Sequence, residues 1–126
     1  MQGDWRFFFA QFAEFYRILR PNGTLYGHSP SIKSPWLWGD PGHTRAVTKE
    51  SFAFLDQEQY GLQIGITSMT DYRQVYQADL QTTLAMDDGA NFHYALMAVK
   101  PSRYEFFMQP ENMRRNKEGG LNRRAA

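Results

Sequence analysis

Apolar positions recur with a helical period over residues 5–20, where Trp5, Phe8, Phe9, Phe12, Tyr16 and Leu19 share one face. Asp4 is the expected N-cap, Arg17 and Arg20 suit the negative end of the helix dipole, and Pro21 and Gly23 stop the helix. So wide an aromatic stripe predicts packing on a sheet. Thr24–His28 reads as a short buried strand, with Gly27 admitting a close neighbour. Residues 29–47 form a long polar loop holding Pro30, Pro35, Gly39, Pro41 and Gly42, and such a loop inside a compact domain is usually functional. Thr48 predicts the N-cap of a short helix that buries Phe52 and Leu55 and ends at Gly61. Leu62, Ile64 and Ile66 alternate with Gln63, Gly65 and Thr67, which predicts a brief strand, and "SMTDYR" reads as a turn.

The last regular part is a hairpin. Ala78, Leu80, Thr82, Leu84 and Met86 alternate with Asp79, Gln81, Thr83 and Ala85, the mark of a half-exposed strand. "DDGAN" supplies the turn. Phe92–Val99 is apolar on both faces apart from His93, and a strand of that kind belongs inside a sheet. The second hairpin strand is therefore expected in the middle and the first outside it. The fold class is α/β, with an antiparallel C-terminal hairpin and flanking helices. Residues 1–102 form the body, and residues 103–126 read as a basic, flexible tail.

Composition narrows the function classes. The chain has 126 residues, enough for one domain, and 42% are hydrophobic, which is globular rather than disordered. Residues 110–126 carry five basic and two acidic side chains, and the rest carry nine basic and eleven acidic. The body thus has no field that selects nucleic acid. There is no cysteine, which excludes disulfides, thiolate catalysis and cysteine-ligated zinc. No apolar run reaches transmembrane length, and no signal peptide is legible, so the default expectation is a cytoplasmic protein. His28, Asp40, His43 and His93 show no metal-ligand spacing, so no metal site is expected.

The order of helix, "RILRPNG", strand, polar loop, helix and hairpin ending "LMAVKP" resembles the second half of a class I S-adenosylmethionine-dependent methyltransferase of the methyltransferase type 11-like kind. "EFYRILRPNGTL" is similar to that superfamily's E-x-x-R-x-L-K-P-G-G-x-L segment, and "DPGHTRAVTKESF" to its D-P-T-H-x-R-x-x-T-x-x-S-F stretch. The likeness covers about residues 5–101, with Arg20 in place of the lysine and Asn22 in place of the first glycine. It implies a partial Rossmann-like sheet of the fifth, seventh and sixth strands. It also implies S-adenosylmethionine as methyl donor and an acceptor that the sequence does not name. The superfamily's glycine-rich cofactor loop and ribose-binding acid have no counterpart here, since "EGGL" at 118–121 follows no strand. The cofactor-binding half is therefore expected on another chain, or to be lost, or cut off by the gene boundary. A strand with no neighbour is a pairing template, so a homodimer or a complementing cofactor-binding chain is the expected partner.

The candidate chemistry lies in "WLWGDPGHTR", residues 36–45. For methyl transfer, a loop at the strand carboxyl edge reads with His43 as general base, Asp40 as its orienting acid and Arg45 as the holder of an anionic group on the acceptor. His28 and Ser29 would line the acceptor pocket, and Trp36 and Trp38 would stack on the acceptor. The same residues admit a plain reading: Asp40-Pro41-Gly42 as a turn, His43 as a helix cap, and the tryptophans as a cover for the first helix.

Overall fold

The computed structural model describes residues 4–109. Helix α1, Trp5–Ile18, starts at Asp4, whose side chain accepts the N–H groups of Arg6 and Phe7. It ends where the chain turns through Arg20–Gly23. Asn22 takes up φ 66°, which asparagine tolerates better than most residues. Gly23 follows because a Cβ there would stand 2.9 Å from the Arg20 carbonyl oxygen. The Lys100 ammonium donates to the Leu19 and Arg17 carbonyls, satisfying groups that the helix end leaves open.

Strand β1, Thr24–Pro30, leads to a single helical turn, α2 (Trp36–Gly39), and then to α3, Lys49–Ala53, and α4, Gln57–Gln63. Strands β2, Leu80–Asp87, and β3, Asn91–Ala98, form the hairpin, and α5, Tyr104–Met108, closes the described chain. The sheet has the order β1-β3-β2, with both neighbours antiparallel to β3. The second hairpin strand is central, as its apolar pattern predicted.

The core lies on one face of the sheet. Phe8, Phe9 and Phe12 of α1 meet Phe52 of α3, Leu80 of β2, and Phe92, Leu96 and Ala98 of β3. The Phe12 and Phe52 rings pack edge to face at 5.8 Å. Gly27 admits Tyr94, whose ring atoms would lie 2.7 Å from any Cβ there. The opposite face is turned to solvent at Tyr26, His28, Leu84 and Met86.

Four sequence expectations change. Thr24–His28 is not a buried strand: β1 lies at the sheet edge and none of its residues is fully buried. The segment 62–66 is not a strand, and Gly61 does not end a helix. Asp56 caps a new helix by accepting the N–H groups of Glu58 and Gln59, so α4 runs through a buried Gly61 to Gln63. Residues 48–60 are accordingly two helices. Thr48 does cap the first, in a reciprocal pairing with Ser51. Finally, the segment read as the start of the tail is tied to the body. Arg103 bonds Asp79, Asp56 and Glu58, and α5 follows it. The rest of the expected tail lies outside the described residues.

Candidate functional site

Strand β1 ends at Pro30, and the loop that follows is stapled rather than loose. Ser31 is buried and donates to Asp87 at the end of β2 (2.8 Å), while accepting the Lys33 N–H. Leu37 is the buried anchor of α2, and it leaves Trp36 and Trp38 on either side with 68% and 64% of their surface in water. The tryptophans therefore do not cover α1. They stand free, where a flat acceptor or a partner surface can reach them.

His43 folds back onto α2. Its Nδ1 lies 2.9 Å from the Trp36 carbonyl and 3.2 Å from that of Leu37. Both partners only accept, so the neutral ring carries its proton on Nδ1 and keeps a lone pair on Nε2. Asp40 was expected to orient the imidazole, but the backbone does so instead. The Asp40 carboxylate accepts the Gly42 N–H at 2.9 Å, an Asx turn, and its other oxygen is 3.9 Å from Nε2, beyond hydrogen-bond reach. Arg45 departs from this pair. Its guanidinium lies over the Phe8 ring at 5.2 Å, in a small cavity of about 150 Å³ with Trp5, Phe9 and Tyr72, and its Nε is buried with no partner.

His28 and Ser29 do not line one pocket, because successive strand residues face opposite ways. His28 is on the solvent face, opposite His93, with the rings 5.9 Å apart. Ser29 faces inward, and its hydroxyl is buried without a hydrogen-bond partner. His93 bonds Asp88 at 2.9 Å. The carboxyl of Asp88 is held at about 2, below its ordinary 3.8, first by the Asn91 N–H and then by His93. Among the described residues, no group of three histidine or acidic side chains is placed to hold a metal.

The structure adds a cleft that the sequence reading did not name. Ile32, Val47, Lys49, Glu50, Met86 and Phe92 surround about 300 Å³ at the end of the sheet where β1 and β2 finish. A larger groove of about 580 Å³ continues from Lys49 and Glu50 along α3 and α4. None of the seven residues singled out from sequence lines either space. Lys49 and Glu50 were legible only as the first turn of a helix, because their place above β2 depends on the hairpin.

Arg103 is the other group the sequence reading passed over. Its guanidinium donates to Asp79 at 2.8 and 3.0 Å, to Asp56 at 3.1 Å and to Glu58 at 3.1 Å. Burial raises the Asp56 carboxyl above its ordinary range, against the Gln59 N–H and the arginine, which pull it down. This cluster holds α4, α5 and the start of β2 together.

A class I methyltransferase cofactor needs a glycine-rich strand-to-helix turn and a strand-end carboxylate for the ribose. β2 ends in Asp87, but that carboxylate is taken by the Ser31 hydroxyl and the Gly89 N–H, and Gly89 sits in a hairpin. The described residues do not fit S-adenosylmethionine. Among them, no helix is long and apolar enough to cross a membrane. Comparison with family models, with curated proteins and with solved structures finds no match.

Proposed function

We propose that this chain is the acceptor-side half of a class I S-adenosylmethionine-dependent methyltransferase domain. One observation carries the reading. β1 and β2 both run antiparallel to β3, so they are parallel to each other, and they are linked through α3 and α4 with β3 returned between them. That is the arrangement the resemblance implies for its fifth, seventh and sixth strands, including the inserted last strand. The turn at Asn22–Gly23 adds support, because "RPNG" does there what the family's glycine pair does.

In this reading the cofactor contacts come from residues paired to the free edge of β1. The chain itself supplies the acceptor side. His43 Nε2 is the proton acceptor, with its ring held by the α2 carbonyls, and Trp36 and Trp38 each present an exposed aromatic ring. The cleft above β2 offers a mostly apolar slot whose charged lining is Lys49, Glu50 and Asp87.

Joining a methyltransferase cofactor-binding half ahead of Asp4 tests this. The joined protein should protect the outward amides of Thr24, Tyr26 and His28 from hydrogen exchange. It should bind S-adenosylmethionine with a low-micromolar Kd, about −8 kcal/mol. It should also pass label from the cofactor to an acceptor pool, and His43→Ala should cut that transfer by roughly 100-fold. If both halves fold but the β1 amides still exchange freely, the reading fails. A second reading, a binding module without chemistry, is favoured by the loop itself. The carboxylate of Asp40 and the Nδ1 of His43 both already serve its turns.

A further inference from the structure

The two hydrogen-bonding sides of β1 are unequal. Ser31 donates to Ala90 across the register that pairs Thr24 with Met97 and Pro30 with Asn91. In an antiparallel ladder the bonded positions alternate, so Leu25, Gly27 and Ser29 turn their N–H and C=O groups to β3. Thr24, Tyr26 and His28 turn theirs outward, and Pro30, which has no N–H, falls in the same outward set.

We infer that this edge is the interface of a homodimer in which β1 pairs antiparallel with β1 of a second copy. The two-fold axis passes through Tyr26, and the sheet becomes six-stranded.

The occupant is argued from three features. The outward groups are self-complementary. With Tyr26 opposite the partner's Tyr26 and Thr24 opposite the partner's His28, every outward N–H of both strands meets a carbonyl. No side chain of Thr24–Pro30 is a carboxylate, lysine or arginine, so two identical edges meet without like-charge repulsion. Apolar surface borders the edge as well. Tyr26 is 62% exposed on the solvent face of the sheet. Strand geometry and charge carry the dimer without the methyltransferase reading, but a cofactor-binding half would take the same edge, so the homodimer is the pairing of this chain by itself.

A single introduced cysteine tests the register cleanly, since the chain has none of its own. Opposed residues in a bonded antiparallel pair have Cα atoms about 5.5 Å apart, within reach of a disulfide. Purified Tyr26→Cys should run as a disulfide-linked dimer under mild oxidation. Met97→Cys, on the same face but one strand inward, should not. The unmodified chain should scatter light as a dimer at tens of micromolar, with slow amide exchange at Thr24, Tyr26 and His28. A monomer in light scattering overturns the inference. So does a dimer in which Tyr26→Cys fails to link, or in which those three amides exchange freely. In the joined methyltransferase protein described above the edge is already filled, so the dimer should be lost there. A failure of that protein alone leaves the homodimer result standing.

Discussion

The two edges of this small sheet are built differently. The β2 edge carries the usual safeguards. A bulge between Thr82 and Leu84 breaks its ladder, the Leu80 N–H donates inward to Leu55, and the strand ends on Asp87. The residue before it, Asp79, is buried and locked to Arg103. The β1 edge is straight over Thr24–Pro30, with no bulge and no acidic, lysine or arginine side chain, and Pro30 alone blunts its end. A short chain that defends one edge so fully and the other so little is asymmetric in what it can meet. The β2 side is finished within the chain, and the β1 side is ready to pair.

The largest expected effect comes from breaking the defended side. Arg103→Gln removes the cation that serves Asp79, whose side chain is wholly buried, and Asp56, which is 9% exposed. Asp79 keeps only the backbone N–H groups of Gln57 and residue 103, and a buried carboxylate stripped of its counter-ion costs about 3–5 kcal/mol. Urea unfolding should show a loss of that size in ΔG. Glu58→Gln, which removes only a half-exposed arm of the cluster, should cost less than about 1 kcal/mol. Equal losses would mean that the cluster is no more than surface charge. Amide exchange in the Arg103 variant should quicken first at Leu80 and in α4, while β1 keeps its native pattern.

A smaller effect is expected from disturbing β1 on its inward face. Gly27→Ala would set a methyl 2.7 Å from the Tyr94 ring, and that ring is wedged against Phe52 at 4.7 Å. Overpacking of this kind costs about 1–3 kcal/mol. The outward N–H groups of Thr24, Tyr26 and His28 are untouched. Destabilisation in urea without loss of the dimer is therefore the expected outcome. If the variant instead turned monomeric at full stability, the position of Gly27 would govern pairing rather than packing.

Much of this architecture was legible in the sequence because short-range rules set it. Asp4 and Thr48 were readable as caps, α1 from its stripe, and the central place of β3 from a run apolar on both faces. The errors have two causes: a local cap that outweighs an apparent alternation, and contacts from far along the chain. Leu62, Ile64 and Ile66 alternate like a strand, but Asp56 caps a helix ahead of them and buries Gly61 within it. Arg103 looked like the first charge of a tail because its three acids lie 24 to 47 residues away in sequence. The candidate site shows the same limit. Residue type pointed to Asp40 and His43, yet the imidazole is held by the carbonyls of Trp36 and Leu37, whose placement no side-chain pattern reports.

The smallest expected effect concerns the hairpin turn that ties β2 to β3, and it separates the two edges by pH. Asp88 accepts the N–H groups of Ala90 and Asn91 and bonds the His93 ring, and together these hold its carboxyl at about 2 rather than 3.8. A carboxyl whose folded pKa is depressed contributes stability that is complete above its unfolded value. That contribution is lost as pH falls through the window between the two, here from about 4 to about 2. Acid should therefore loosen the β2–β3 turn, and Asp88→Asn should flatten this part of the profile. Asp71, held at about 2 chiefly by the Arg73 side chain, titrates in the same window. The test is therefore the difference between parent and variant, not the parent curve alone. Unfolding midpoints at pH 6, 4 and 2.5 should converge as pH falls, and amide exchange at Ala90 and Asn91 should quicken in the parent over the same interval. Parallel curves at every pH would mean that Asp88 shapes the turn sterically and its charge adds nothing. β1 bonds no ionised carboxylate through its outward groups, so its pairing should not change across that window. A dimer that dissociated with the same midpoint as the turn would join the two edges into one unit and remove the contrast between them.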